Sequence, residues 1–223
     1  ERSRRQRQMC IRDRSDSVLS CERVVLNILG RLSGITTRTS EWVSESGSVS
    51  IACTRKTAWG LMDKWAVHVG GGLTHRLSRT DALMIKENDL KIIGSKQNTG
   101  SVISSAISSI DFEKSAAFVV IEVQDSAQAI SAAESWSENQ KIRGGNEKIV
   151  ILLDNMGPQK CRSAEALLRE SELRDWCILE GSGGVTLDRL HTWIESSMVD
   201  VISSSSVNMG VPSLDLSMLI RGI

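Results

Sequence analysis

Five potential cations fall within 32 residues of this chain: Arg55, Lys56, His75, Arg76 and Lys86. A planar guanidinium meets a carboxylate through two parallel hydrogen bonds, and a lysine ammonium supplies a compact point charge. Such a group suits a pocket for a multiply charged anion. His75 directly precedes Arg76 in a loop that follows Gly70-Gly71-Gly72, a setting that favours contact with a ligand as a donor. Glu122 and Asp154 are the acidic counterpart. Two carboxylates facing a cationic pocket suit sugar hydroxyls or a Mg²⁺ carried by a diphosphate; the alternative is a structural ion pair with the lysines. The turn Ser182-Gly183-Gly184 presents backbone N–H groups ahead of a helical pattern near Leu187, where phosphate is a natural guest.

Composition narrows the partners. Of 223 residues, 27 are Lys or Arg and 27 are Asp or Glu, so the formal net charge is zero. A nucleic-acid or acidic-membrane binder would carry a positive surplus, so neither partner is expected. No apolar run approaches the ~20 residues that cross a bilayer. The five cysteines, Cys10, Cys21, Cys53, Cys161 and Cys177, form no C-x-x-C pair. They read as reduced, mostly buried thiols of a cytoplasmic protein. The first fourteen residues hold six arginines and no periodic apolar pattern. They resemble translated adapter sequence, so residues 1–14 are read as a non-native or disordered tail outside the fold.

The elements that position the chemistry alternate. From Ser15, Val18, Leu19, Val24, Val25, Leu26, Ile28, Leu29 and Leu32 recur at helical spacing. Ser33-Gly34 interrupts this pattern, and a second helical stretch runs to about Ser46. Apolar, β-branched runs predict strands at 48–53, 82–85, 117–123, 148–153, 176–179 and 199–203. Helical patterns lie near 59–68, 101–110, 125–139, 158–171 and 187–196. Alternation of this kind implies a parallel sheet covered on both faces. A dinucleotide-binding open sheet should carry G-x-G-x-x-G after its first strand, and none is present. Polar groups instead end or follow every strand: Thr54-Arg55-Lys56, Lys86, Glu122 at the end of the third, Asp154-Asn155, Ser182-Gly183-Gly184, and the Ser-rich loop 203–206. Functional groups at the C-terminal ends of many strands mark a barrel with one mouth.

These residues resemble a known family. CTRKTAWGLMDKWAVHVGGGLTHRLSRTDALMIKEN (53–88) is similar to the core motif of the quinolinate phosphoribosyltransferases, also called nicotinate-nucleotide pyrophosphorylases (carboxylating). ERVVLNILGRLSGI (22–35), IVILLDNMGP (149–158), LEGSGGV (179–185) and VDVIS…VPSLDLS (199–217) resemble the same family in the same order. The resemblance covers nearly everything from Ser15 onward. It implies an α/β fold: an incomplete (β/α) TIM-like barrel over 48–223, preceded by a helical segment at 15–47 that is all that remains of an N-terminal α/β sandwich domain. The implied reaction converts quinolinate and 5-phosphoribosyl 1-diphosphate to nicotinate mononucleotide, diphosphate and CO₂, with Mg²⁺, in NAD synthesis. The implied assembly is a homodimer with shared sites.

By resemblance, Arg55, Lys56, His75, Arg76 and Lys86 contact the quinolinate carboxylates and the diphosphate, and Arg23 reaches the neighbouring subunit's site. Glu122 and Asp154 match positions for the ribose hydroxyls and the metal, and with Lys56 they make up the expected catalytic set. Ser182, Gly183 and Gly184 match the 5′-phosphate cradle, with Ser204, Ser205 and Ser206 of the 204–208 loop. Two departures stand out: Asp89 where the family usually has His, and Ser205-Ser206-Val207-Asn208 in place of a glycine-containing loop. The alternatives are a molybdenum-transport-associated paralogue of the family, or an inactive anion-binding fragment lacking its N-terminal domain.

Overall fold

The expected alternation is what forms. The structure, a computed structural model, describes residues 15–78, 81–94, 99–111 and 118–219. In chain order the elements are α1 (Ser15–Glu45), β1 (Ser50–Ala52), α2 (Leu61–Val69), β2 (Leu83–Ile85), α3 (Glu87–Ile93), α4 (Thr99–Ser108), β3 (Val119–Val123), α5 (Ser126–Arg143), β4 (Ile149–Asp154), α6 (Gly157–Glu170), β5 (Cys177–Ser182), α7 (Leu190–Ser197) and β6 (Val201–Ser203). The tail expected at 1–14 lies outside the described residues, as does Ala117 at the start of the third predicted strand.

All strand pairs are parallel, in the order β1-β6-β5-β4-β3-β2. β1 and β2 are the two ends of the sheet, so the ring is incomplete. Leu73 pairs with the free side of β1: its N–H donates to the Ile51 carbonyl at 2.7 Å, and its carbonyl accepts from Cys53 N at 3.0 Å. The sheet is curled. His75, just past Leu73, and Phe118, just before β3, meet edge to face with ring centroids 6.4 Å apart. Laid flat, five strand spacings of ~4.8 Å would separate these two lines of chain by ~24 Å. An incomplete (β/α) barrel accounts for both the parallel order and the closure.

Alternation along the strands separates two interiors. Ile121, Val123, Ile149, Ile151, Leu153, Cys177, Leu179 and Ile202 point outward into the main core shared with the helices. The intervening residues point into the barrel, where one level runs Glu122, Leu152, Glu180, Val201 and Ser50 around the sheet.

Two elements differ from expectation. Ser33-Gly34 does not interrupt α1, which is one helix of 31 residues. The glycines there provide room. A Cβ at Gly30 would lie 2.6 Å from the Leu214 carbonyl oxygen, and one at Gly34 would lie 2.3 Å from that of Pro212. The C-terminal segment lies against this face, with Leu214 N donating to the Gly30 carbonyl at 2.9 Å. The helix α3 was not expected at all. It is a short element whose first turn is tied by Asp89, which accepts from Lys86 N at 2.9 Å.

Candidate active site at the barrel mouth

The loop after β1 carries Thr54, Arg55 and Lys56, with Arg55 and Lys56 exposed. Lys56 N donates to Thr54 Oγ1 at 3.1 Å, closing the turn. The Lys56 carbonyl accepts from Asn208 Nδ2 at 2.8 Å, tying this loop to the one after β6. Behind it lies a carboxylate that sequence reasoning missed. Asp63, fully buried on α2, accepts from Arg31 Nε at 2.9 Å and Nη2 at 2.8 Å, and from the backbone N–H groups of Ala58 and Trp59 at 2.9 and 3.2 Å. Arg31 also stacks over the Trp59 ring, 5.1 Å from its centroid. Burial pushes the Asp63 carboxyl up, but the hydrogen bonds from Arg31, Trp59 and Ala58 outweigh this and hold it below the usual range.

A second missed group is Lys64, buried one residue further on. Its ammonium donates to the Thr74 carbonyl and sits 3.8 Å from Cys53 Sγ. Burial lowers the Lys64 pKa and raises that of Cys53. The Thr74 carbonyl thus anchors the turn that carries His75 and Arg76. His75 adopts a left-handed φ of 54°. Its Nδ1 accepts from Arg76 N at 2.8 Å, and its Nε2 lies 3.1 Å from Glu180 Oε2. Glu180 is the third group missed. The fifth strand was expected to end at Leu179, but it continues to Ser182, which turns Glu180 into a buried, barrel-facing carboxylate.

Across the mouth, Lys86 Nζ pairs with Glu122 Oε2. Asp154 Oδ1 accepts from Ser182 Oγ at 2.7 Å, and Oδ2 accepts from Asn155 Nδ2 at 2.7 Å. Gly183 and Gly184 have φ of 104° and 62°, which favours glycine at both. A Cβ at Gly183 would strike Asn155 Oδ1 at 2.4 Å, whereas the space beside Gly184 is open. The helix expected directly after this turn begins later: a 3-10 turn at Leu187–Arg189 precedes α7. The glycine turn, and not a helix start, thus directly follows β5 at this end of the sheet.

In the loop after β6, Ser204 Oγ donates to the Val185 carbonyl at 2.7 Å and accepts from Ser206 N at 3.1 Å. Ser204 is thus a brace between two loops, while Ser205 and Ser206 are half-buried beside it. No residue from Ser203 to Asn208 has a positive φ, so the missing glycine is not demanded by the backbone here. Arg23 is exposed on the first half of α1, and no hydrogen bond or ion pair among the described residues joins it to the mouth.

Glu122 and Asp154 stand on neighbouring strands and the same sheet face, one strand repeat apart: Glu122 pairs with Leu152. No group of three or more metal-binding side chains occurs among the described residues. Two carboxylates nevertheless match what Mg²⁺ asks of a protein when substrate phosphates and water complete its shell. The donor set fits that ion. A shallow cleft lined by Val43, Ser46, Val49, Ile51, Gly71 and Leu73 contains none of the residues expected to bind substrate.

The family model described as quinolinate phosphoribosyl transferase, C-terminal domain, matches residues 35–219. A "Probable nicotinate-nucleotide pyrophosphorylase [carboxylating]" of Archaeoglobus fulgidus is 35% identical over 216 residues, covering 94% of this chain and 76% of that protein. A relative with the same description from Methanothermobacter thermautotrophicus is 34% identical, covering 92% and 70%. Among solved structures, NadC from Streptococcus pyogenes superposes with a TM-score of 0.73 at 32% identity, covering 93% of this chain and 66% of that one. The nicotinate-nucleotide pyrophosphorylase from Francisella tularensis gives 0.72 at 26% identity, covering 91% and 65%. The chain thus spans just under two thirds of these two solved chains.

Proposed function

This chain belongs to the quinolinate phosphoribosyltransferase family, and on that premise we propose that its barrel mouth transfers a phosphoribosyl group to quinolinate and releases CO₂. The observation that carries the proposal is the meeting of cations, carboxylates and a glycine turn at one end of a curled parallel sheet. A neutral protein needs such local clustering to hold a dicarboxylate beside a diphosphate.

Arg76 takes a quinolinate carboxylate bidentately, and Arg55, Lys56 and Lys86 supply charge for the second carboxylate and the diphosphate. Gly183 and Gly184, with Ser182, Ser205 and Ser206, receive the 5′-phosphate. The pyridine nitrogen forms its bond to ribose C1 as the C1–oxygen bond to diphosphate breaks and the leaving group takes the electron pair. Mg²⁺, held with the diphosphate by Glu122 and Asp154, would neutralise charge on that leaving group. The carboxylate next to the alkylated nitrogen then departs as CO₂, and its electron pair stays on the ring carbon, which takes a proton. No protein nucleophile is required. Orientation and fixed charge supply the rate.

The chain acts as a cytoplasmic homodimer in this reading. Arg23 would serve the other copy's mouth from α1, where Leu19, Val24 and Val25 are exposed beside it. The thiols of Cys53, Cys161 and Cys177 are buried and unpaired, which fits a reducing compartment. No described helix is long and apolar enough to cross a membrane. The test mixes the protein with quinolinate, phosphoribosyl diphosphate and Mg²⁺ and follows nicotinate mononucleotide. Product that disappears when either substrate is omitted supports the proposal. Absence of product under saturating substrates overturns it for this chain.

A further inference from the structure

His75 is fastened at both ring nitrogens. The amide N–H of Arg76 points at Nδ1 from 2.8 Å, and a backbone donor does not point at a protonated nitrogen. Nδ1 therefore carries a lone pair. The single proton of the neutral ring sits on Nε2, which faces the Glu180 carboxylate at 3.1 Å. A doubly protonated ring would set Nδ1–H against Arg76 N–H, donor to donor. With both nitrogens engaged inside the protein, the ring has no N–H left to give a substrate. It is also shielded, with a side chain only 9% exposed.

The backbone is held in an unfavourable state to make this possible. A residue with a side chain rarely adopts the left-handed region, and such strain persists only where the surroundings enforce it. They do so on several sides. The preceding Thr74 carbonyl accepts from Lys64 Nζ and, at 3.4 Å, from Cys53 Sγ. The Thr74 hydroxyl donates to the His75 carbonyl at 3.2 Å, and the Phe118 ring meets the imidazole edge to face. What this secures is not the imidazole's own access but its two neighbours. Arg76 leaves the chain from a main chain tied back to the ring. Glu180 stands inside the barrel with one oxygen committed to Nε2–H.

We propose that His75 is a positioning residue, locked as the Nε2–H tautomer, that fixes the Arg76 main chain and the Glu180 carboxylate and gives no hydrogen bond to quinolinate. This assignment rests on the function proposed above only in naming quinolinate as the ligand. It departs from the expectation that His75 contacts the substrate directly.

The experiment uses the full chain carrying ¹⁵N-labelled histidine, with His75→Asn, Glu180→Gln and the double variant. Asparagine tolerates the left-handed backbone and keeps an acceptor near Arg76 N, but it does not reach Glu180. The His75 ring signals are recognised by their loss in His75→Asn. The expected spectrum has one bare and one protonated ring nitrogen, unchanged on saturation with quinolinate. Each single variant should raise the quinolinate dissociation constant about tenfold, and the double variant about as much, because both break one unit. A second ring proton on adding quinolinate, or a double variant weakened about a hundredfold, would overturn the assignment. If quinolinate does not bind at all, the proposed function fails separately. The ligand-free tautomer and the additivity of the same variants in urea unfolding then decide the role of His75: a bare Nδ1 with non-additive losses supports it, and mixed tautomers with additive losses sink it.

Discussion

Asp63 gathers four donors on one buried carboxylate: two from Arg31 and two from the backbone that follows Lys56. Removing it strands a part-buried guanidinium and two N–H groups. Asp63→Ala is therefore expected to cost about 3–5 kcal/mol in urea unfolding at neutral pH. The sign of the pH effect follows from its lowered pKa. A depressed carboxyl contributes stability above its unfolded value of ~3.9 and loses it as pH falls through the folded value. The stability gap between the parent chain and Asp63→Asn should be constant near neutrality and narrow below about pH 4. A gap that widens in acid would show that the carboxylate is not held ionised. Residues of this kind were the least legible in the sequence. Arg55, Lys56 and Lys86 stand out because they follow strands. Asp63, Lys64 and Glu180 gain their meaning from burial and from partners up to 105 residues away, which no local pattern reports.

At the scale of elements, continuous apolar, β-branched runs mark all six strands, and period-3.6 patterns mark most helices. The failures came where tertiary contact outweighed a local signal. A helical glycine normally weakens a helix by about 1 kcal/mol relative to alanine. In α1, Gly30 and Gly34 instead form the floor on which Pro212 and Leu214 lie. Gly34→Ala should consequently destabilise the protein by about 1–3 kcal/mol despite its better propensity, as overpacking does. Thermal or urea unfolding checks this, and stabilisation by the alanine would mean that the C-terminal segment does not pack there. The helix α3 is not legible in the sequence because it is only seven residues long and the carboxylate that closes its first turn, Asp89, reads as an ordinary surface charge. That aspartate ties the chain directly at Lys86, so it has a local task of its own.

For the whole molecule, the polar groups at the C-terminal ends of successive strands and the absence of a dinucleotide loop make a parallel barrel legible. The degree of curl was not, because it is set by contacts such as His75 with Phe118 between distant segments. Burial also divides the thiols. It pushes Cys161 up to about 12 and Cys177 up to about 11, while Cys21 is exposed. Since the thiolate is the reactive form, iodoacetamide at pH 8 should label Cys21 in the native protein and reach Cys161 and Cys177 only after denaturation. Peptide mass mapping reads this, and equal native labelling of all three would contradict the packing of α6 against the sheet and the burial of β5 within it.

In the proposed reaction the mouth recognises a pyridine bearing two adjacent carboxylates. Calorimetric titration of the chain with quinolinate, and in parallel with nicotinate and inorganic phosphate, tests it most directly. Quinolinate should bind well above nicotinate, which has one carboxylate. Arg76→Ala should remove ~1.5–3 kcal/mol of quinolinate binding while leaving phosphate binding nearly unchanged. Equal affinity for quinolinate and nicotinate, or equal loss of quinolinate and phosphate in Arg76→Ala, would rule out recognition of the paired carboxylates by this mouth.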